Sequence, residues 1–332
     1  MTTSEIAPAR ITVLAGGVGG SRFVRGVRAA WPAARIDVIG NTADDISLHG
    51  LRICPDLDTM MYALGGGIDA EKGWGRNDEG WRIAEEFEAY GIQPRWFQLG
   101  DRDIATHLVR TELYNAGYSN TEITLALQTR WLGADSPVRI LPMTDERVET
   151  HIVVADPEQS SGQRAMHFQE FWVRYRAALP VIQVVQVGID QAKATDAVLE
   201  SISTADLVLI APSNPVVSIG PILGVSGVRA ALRATRAPVI GVSGILGGAP
   251  VLGMADKLLP AIGVAVSAAA VGRHYGPRNR PGGILDRWVV DQRDAAAVAE
   301  LAADGLDAVA VDTMMTSPEA TAAFLHTAVA AR

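Results

Sequence analysis

Cysteine is almost absent from this chain, since Cys54 is the only one among its 332 residues. An internal disulfide and a zinc site built from several cysteines are therefore both excluded. No apolar run reaches the roughly 18 residues that a membrane-spanning helix needs, so we expect no membrane association. The first residues, MTTSEIAPAR, lack the basic head and apolar core of a signal peptide. A cytoplasmic protein is the expectation.

Basic clusters are also missing. The net charge is −8, which argues against a nucleic-acid-binding surface. Charged residues make up only 20% of the chain and hydrophobic residues 48%, which is typical of a folded domain with a large core and not of a disordered chain. These numbers suit a soluble enzyme.

Several common catalytic signatures do not occur. The six histidines show neither H-x-x-x-H nor H-E-x-x-H spacing, and Ser243 does not lie in a G-x-S-x-G motif. No Gly-Lys-Ser/Thr follows the glycine-rich segment near the N-terminus, so a P-loop is excluded. Serine-hydrolase, zinc-protease and P-loop chemistry therefore have no support in the sequence.

Glycine is abundant where the first apolar segment ends, in the stretch LAGGVGGSRF. Glycine lets backbone N–H groups approach a phosphate closely, and a following helix would direct its positive end to the same place. Close packing between strand and helix is the alternative reason for glycine here. An NAD site is disfavoured because the second strand ends at Asn41 without an acidic residue for the ribose. The predicted phosphate cradle comprises Gly16, Gly17, Val18, Gly19 and Gly20.

Two acidic segments follow, Asp44-Asp45 and Asp56-Leu57-Asp58. Carboxylates beside a phosphate site make sense if a divalent cation lies between them and the phosphates. The alternative is a solvated loop followed by an aspartate that caps a helix. We predict a site for Mg²⁺ and a diphosphate-containing nucleotide.

Two more polar segments lie where ligand contacts are expected. Pro212-Ser213-Asn214-Pro215 follows an apolar segment and could contact a base or ribose, although these residues also form ordinary turns. Arg102, in Gly100-Asp101-Arg102-Asp103, has the planar guanidinium that suits phosphate or carboxylate, but it could equally pair with its acidic neighbours.

The order of the predicted elements indicates one α/β domain over residues 1–332, with a doubly wound, mostly parallel sheet. A helical insertion is expected at about residues 70–175, together with a small pair of strands, Val138–Leu141 and Val148–Ala155. The other predicted strands are Arg10–Ala15, Arg35–Ile39, Val181–Val187, Leu207–Ala211, Val239–Val242, Trp288–Val290 and Ala308–Val311. The predicted helices are Ser21–Trp31, Asp78–Tyr90, Asp103–Asn115, Thr121–Trp131, Thr195–Ser203, Val225–Thr235, Ala295–Ala303 and Pro318–Ala331.

Eight segments together resemble the family of 2-phospho-L-lactate and phosphoenolpyruvate transferases, in its actinobacterial branch. They occur in order along nearly the whole chain: LAGGVGGSRF, GNTADD, CPDLDT, LGDRDIATH, LPMTDE, MHFQEFWV, APSNPVVSIGPIL and DTMMTS. The resemblance implies a Rossmann-like core, a helical insertion over the acceptor site, and a homodimer. It also implies Mg²⁺-dependent synthesis of the deazaflavin coenzyme F-420.

The implied reaction moves phosphoenolpyruvate from enolpyruvyl-diphospho-guanosine to the hydroxyl of 7,8-didemethyl-8-hydroxy-5-deazariboflavin. The products are dehydro coenzyme F-420-0 and GMP. A phospholactate donor, lactyl-diphospho-guanosine, is the alternative. Two other classes stay open: a nucleotide-sugar-binding regulator similar to the gluconeogenesis-factor proteins, and a glycosyltransferase that uses a D-x-D motif.

Site roles follow from the resemblance and the motifs together. Asp45 and Asp58 are expected to hold Mg²⁺, and one of them to take the hydroxyl proton. Ser213 and Asn214 are expected to bind the guanosine. The sequence departs from the family at Arg22, where many relatives have lysine, and at Gln98, where they have a basic residue. The residues expected near the deazaflavin are Asn41, Thr42, Asp58, Gln98 and Arg102.

Overall fold

A computed structural model describes residues 7–69, 71 and 73–330 of the chain. The strands are β1 (Arg10–Ala15), β2 (Arg35–Gly40), β3 (Ile46–Leu48), β4 (Leu51–Ile53), β5 (Val138–Pro142), β6 (Glu149–Ala155), β7 (Gln163–His167), β8 (Val181–Val187), β9 (Leu207–Ile210), β10 (Val239–Val242), β11 (Ile245–Leu246), β12 (Ala249–Pro250), β13 (Arg287–Asp291) and β14 (Asp307–Val311). The helices are α1 (Gly17–Ala30), α2 (Pro55–Leu64), α3 (Arg82–Ala89), α4 (Asp101–Asn115), α5 (Asn120–Leu132), α6 (Asp196–Thr204), α7 (Ile219–Gly224), α8 (Val228–Ala234), α9 (Ala255–Leu258), α10 (Ala268–Tyr275), α11 (Ala296–Ala303) and α12 (Pro318–Ala330).

Seven strands form one parallel sheet in the order β14-β13-β10-β9-β1-β2-β5. The chain extends the sheet from β1 in one direction through β2 and in the other through β9. The order therefore reverses beside β1, which is where ligands bind in open α/β sheets. This arrangement confirms the predicted α/β class and the doubly wound sheet.

Alternate residues of the strands enter two hydrophobic cores, one on each face of the sheet, as strand geometry requires. One core holds Ile11 and Val13 of β1 together with α1, α2 and α12. The other holds Leu14 and the buried faces of α6, α8, α10 and α11. Ile152 and Phe168 belong to this second core. The three-stranded antiparallel sheet of order β7-β6-β8 is thus attached to the main domain by shared packing.

Two strand assignments were wrong in their pairing. Val138–Leu141 was expected to pair with Val148–Ala155, but β5 is parallel to β2 in the main sheet. Val181–Val187 was expected in the main sheet, but β8 pairs antiparallel with β6. An apolar segment predicts that a strand forms, while its partner depends on contacts far away in the sequence.

Helix boundaries show a second kind of difference. Helix α1 begins at Gly17 inside the glycine segment, four residues before the predicted start. Helix α2, which carries Asp56 and Asp58, was not predicted as a helix. The S-x-x-E spacing of Ser119 and Glu122 predicts a capping box, and the structure has it at the start of α5. The predicted insertion at about 70–175 contains α3, α4 and α5 together with β5, β6 and β7.

No helix among the described residues has the length and apolarity needed to cross a membrane.

Candidate active site

The candidate site lies at the carboxyl ends of β9, β1 and β2, which are neighbours in the sheet. The loops that follow these strands carry the glycine segment, the residues Asn41–Asp45 and the Pro212–Pro215 turn. Parallel strands bring these loops to one edge although they are far apart in sequence. We call residues 41–45 the acid loop.

Backbone conformation and contacts with neighbouring residues account for some, but not all, of the glycines in the glycine segment. Gly17 has a φ of +63°, a conformation that favours glycine. A Cβ added at Gly16 would lie 2.5 Å from Asp56 Oδ2 and 2.8 Å from Ser218 Cβ. At Gly19 the nearest atom would be 3.6 Å away, so this position is not crowded. Packing explains why residue 16 is glycine, but it does not explain why residue 19 is glycine.

Ser213 fixes the glycine segment to the loop after β9. Its Oγ accepts a hydrogen bond from Gly16 N (3.1 Å) and donates one to Gly16 O (2.8 Å). Asn214 shapes the same turn, because its Oδ1 accepts from Val216 N (2.9 Å). Both residues predicted to bind guanosine therefore already have structural partners. The cleft beside them has about 340 Å³ of space open to solvent and is also lined by Tyr275 and Trp288.

Asn41 and Asp56 connect the acid loop to the glycine segment. Asn41 Nδ2 donates to Asp56 Oδ2 (3.0 Å), and Asn41 Oδ1 accepts from Ala43 N (3.0 Å). Asp56 also accepts a backbone hydrogen bond from Gly17. The acid that touches the start of α1 is thus Asp56, which the sequence identified only as a member of its D-x-D segment.

Asp45 is buried, and only one of its two carboxylate oxygens has a hydrogen-bond partner. Its Oδ2 accepts from Cys54 Sγ (3.0 Å) and pairs with Arg52 Nη2 (3.2 Å). Its Oδ1 is buried without a hydrogen-bond partner, and the same is true of Thr42 Oγ1 and Asp44 Oδ1. Buried oxygens without partners are costly, so three of them on one loop mark it as a place where a water, an ion or a ligand would bind.

Burial changes the acidity of this group. It raises the pKa of Asp45 to about 7, against the opposing effect of Arg52. It raises the pKa of Asp56 to about 6. Burial, together with the nearby Asp56 carboxylate, raises the pKa of Asp44 well above its usual range. Positive charge brought to these acids would favour their ionised forms at neutral pH.

The donor set fits Mg²⁺ when substrate is included. Mg²⁺ commonly takes one or two carboxylates, with phosphate and water oxygens in the other positions. No three acidic, histidine or cysteine side chains among the described residues form a complete metal site. The unpartnered oxygens of Thr42, Asp44 and Asp45 are the hard ligands that such an ion prefers.

Asp58 lies in a different environment. Both of its oxygens are bonded by the guanidinium of Arg110, with Nη1 at 3.0 Å from Oδ2 and a short contact from Nη2 to Oδ1. Arg110 is 2% exposed and also donates to His107 Nδ1 (3.1 Å). Each carboxylate oxygen retains a second lone pair, so the pair does not prevent Asp58 from binding a cation. Its roles as metal ligand and base stay predictions.

Gln98 lines a second cleft of about 280 Å³ with Trp74, Trp81, Gly75, Arg76, Glu79, Gly100 and Asp103. Arg102 lies beside this cleft, where its guanidinium is half exposed and lies 3.7 Å from Asp78. The backbone N–H of Arg102 donates a hydrogen bond to Glu79 Oε2 (2.8 Å). The backbone N–H of Asp103 donates to Oε1 of the same carboxylate (2.9 Å), so Glu79 binds the first turn of α4. The sequence did not identify Glu79, because nothing in its local spacing marks it as a partner of the helix that begins 22 residues later.

Known proteins resemble this chain over nearly its whole length. The family model described as 2-phospho-L-lactate transferase CofD matches residues 11–327. A phosphoenolpyruvate transferase of Nocardia farcinica is 53% identical over 328 residues, covering 98% of this chain and 96% of that protein. Proteins with the same name are 54% identical in Streptomyces griseus, covering 96% of this chain and 97% of that protein, and 52% in Mycobacterium avium, covering 94% and 96%.

Two crystal structures of one Bacillus halodurans protein share the fold. One, described as protein BH3568, has a TM-score of 0.58 at 17% identity and covers 92% of this chain and 93% of that one. The other, described as a member of the UPF0052 family, has a TM-score of 0.61 at 17% identity and covers 97% and 99%. At this identity the likeness concerns the fold alone. The match of the family model over nearly the whole chain shows the function class: the chain belongs to the 2-phospho-L-lactate transferase CofD family and is a transferase of coenzyme F-420 biosynthesis.

Proposed function

We propose that this enzyme transfers phosphoenolpyruvate from enolpyruvyl-diphospho-guanosine to 7,8-didemethyl-8-hydroxy-5-deazariboflavin, with Mg²⁺, in the cytoplasm and as a homodimer. The observation that carries the choice of donor is the identity of 52–54% to three proteins named phosphoenolpyruvate transferase. The side-chain hydroxyl oxygen of the deazaflavin forms a bond to the phosphorus that carries the enolpyruvyl group. The bond from that phosphorus to the oxygen of GMP breaks, GMP leaves with the electron pair, and the hydroxyl proton passes to the carboxylate of Asp45 or Asp58.

The chain's contribution to this reaction is positioning and charge. Backbone N–H groups of Val18 and Gly19 would bind the diphosphate at the start of α1, since those of Gly17 and Gly20 already donate to Asp56 and to Gly16 O. Asp45 and Asp58 would hold Mg²⁺, which supplies positive charge for the leaving GMP. Arg110 keeps the Asp58 carboxylate in one orientation, and Cys54 with Arg52 leaves only Oδ1 of Asp45 available.

The cleft around Gln98 is our proposed acceptor site. A deazaflavin is planar and aromatic, and the cleft has two tryptophans in its wall together with the polar groups of Gln98 and Asp103. Replacing Trp74 with alanine should weaken deazaflavin binding at least tenfold in a fluorescence titration. Trp172→Ala is the matched control, because Trp172 is similarly exposed but follows β7, outside both clefts.

The reaction is tested by mass spectrometry of the product. Purified protein, Mg²⁺ and deazaflavin are incubated with the enolpyruvyl or the lactyl guanosine donor in separate reactions. We expect product from the enolpyruvyl donor at a kcat/KM at least tenfold higher. The description of the matching family favours the lactyl donor as the alternative, and preference for that donor would overturn our choice. Tight UDP-sugar binding without turnover of either donor would instead support the regulator class.

A further inference from the structure

The backbone of the acid loop is hydrogen-bonded to the antiparallel sheet and to the residues that follow β7. The carbonyl groups of the last three residues of the loop each accept one of these hydrogen bonds. Thr150 N of β6 donates to Ala43 O (2.7 Å). Gln169 Nε2 donates to Asp44 O (3.4 Å), and His167 Nε2, at the end of β7, lies 3.1 Å from Asp45 O.

The hydrogen bonds of His167 fix its tautomer. The backbone N–H of Gln169 donates to His167 Nδ1 (3.1 Å), so that nitrogen carries no proton. The proton of the neutral ring is then on Nε2, where it is donated to the carbonyl of Asp45.

The support behind this contact is rigid. Thr150 is fully buried, Gln169 is 6% exposed, and Met166 and Phe168 on either side of His167 belong to the large hydrophobic core. The carboxylate side chains of the same loop have unpartnered oxygens that a ligand would use. The antiparallel sheet therefore holds the backbone of the loop through its carbonyl groups and leaves these carboxylate oxygens available.

We propose that His167, with Gln169, is a positioning residue that fixes the Asp44-Asp45 backbone in the geometry needed for transfer. This inference rests on the proposed function for its kinetic consequence, but its structural part is independent of that function. A loop displaced by about 1 Å can lower a rate by on the order of 10²-fold. Loss of the Asp45 bond should therefore reduce kcat while leaving the acceptor cleft intact.

Three variants test the proposal. His167→Phe retains a ring but has no donor, His167→Gln retains an N–H near the position of Nε2, and His151→Phe is the control. His151 contacts the His167 ring edge to face at 5.6 Å but makes no bond to the acid loop. We expect His167→Phe to lower kcat at least tenfold, with the deazaflavin Kd within twofold. His167→Gln and His151→Phe should stay within about threefold of the wild-type kcat.

Two measurements do not depend on turnover. Hydrogen exchange of a peptide that spans residues 41–48 should be at least tenfold faster in His167→Phe and unchanged in His167→Gln. In ¹⁵N-histidine spectra of the wild-type protein, His167 should be protonated at Nε2. Protonation at Nδ1, unchanged exchange in His167→Phe, or equal loss of kcat in the phenylalanine and glutamine variants would overturn the proposal. If the wild-type protein used neither guanosine donor, the proposed function would fail, and the spectra and exchange would still decide the role of His167.

Discussion

Asp58 and Arg110 form a buried ion pair, and this limits what a substitution at either residue can show. Removing one partner of such a pair leaves the other charge buried without compensation, which costs about 3–5 kcal/mol. We expect Arg110→Met to lower the free energy of unfolding by that amount in urea titrations. Asp58→Asn should have a similar effect, so a loss of turnover in that variant must be compared with its folded fraction.

Two further variants test whether the loss of stability comes from the Asp58–Arg110 pair itself. Asp58→Asn combined with Arg110→Met should be less destabilised than the sum of the single variants. Arg139→Met, which breaks the partly exposed pair with Asp37, should cost only about 0–1 kcal/mol. Equal costs at Arg110 and Arg139 would contradict the interpretation of Asp58 as a buried ionised partner.

The raised pKa values of Asp45 and Asp56 predict an unusual pH dependence of stability. A folded-state pKa above the unfolded value means that the folded protein binds more protons at intermediate pH. The stabilisation is complete below about pH 4 and is lost as the pH rises through about 6 for Asp56 and about 7 for Asp45. We expect the metal-free protein to lose stability from these two groups between pH 4 and 7.

Added Mg²⁺ should reverse this loss, because a cation binds the ionised carboxylates and competes with protons. The increase in Tm produced by Mg²⁺ should therefore be larger at pH 8 than at pH 5. Sodium chloride at matched ionic strength and the Asp45→Asn variant are the controls, and both should show little difference between the two pH values. A Mg²⁺ effect that is equal at pH 5 and pH 8 would remove Asp45 from the proposed metal site.

At the scale of elements, Gly16 and Gly19 in the turn from β1 into α1 differ in the space around them, so alanine should have different effects at the two positions. Gly16→Ala forces Cβ against Asp56 and Ser218 and should cost about 1–3 kcal/mol, as overpacking usually does. Gly19→Ala has room and should be neutral or slightly stabilising, because alanine favours a helix more than glycine does. Thermal unfolding of the two variants gives this comparison.

Activity of Gly19→Ala then tests the phosphate cradle separately from packing. If a phosphate approaches the backbone at Gly19, the added methyl group should lower kcat/KM for the guanosine donor at least tenfold in a stable protein. Gly50→Ala is not a suitable control because Gly50 has a φ of +75°. Arg25→Lys, on the exposed side of α1, should leave both stability and kcat/KM unchanged. A fully active Gly19→Ala would remove Gly19 from the proposed phosphate cradle.

Local patterns predicted most elements but not their partners. The capping box at Ser119 and the apolar strands could be predicted because their causes lie within a few residues. The placement of Val181–Val187 could not, since its pairing with β6 depends on a contact about 30 residues away. The same limit applies to the site. The sequence identified both acidic segments, but only the fold shows that Asp56 contacts Gly17 and that Asp58 pairs with Arg110.

At the scale of the whole molecule, the antiparallel sheet has two attachments to the parallel sheet. It contributes Ile152 and Phe168 to the core that also contains Leu14 of β1, and it bonds the acid loop through His167. We expect an insertion attached in both ways to unfold together with the parallel sheet. Helix α3 is the opposite case, because none of its residues is buried.

These two regions should therefore differ in hydrogen exchange. Strand β6 is predicted to exchange at a free energy close to that of β1, because opening it exposes part of the shared core. Helix α3 should exchange on the order of 10²-fold faster through local opening, since little apolar surface holds it in place. Exchange measured at increasing, sub-denaturing urea distinguishes the two modes, because global opening is strongly urea-dependent and local opening is not. If β6 opened at low urea while β1 stayed protected, the antiparallel sheet would be an independent folding unit, and its hold on the acid loop would be too weak to position Asp44 and Asp45 as we propose.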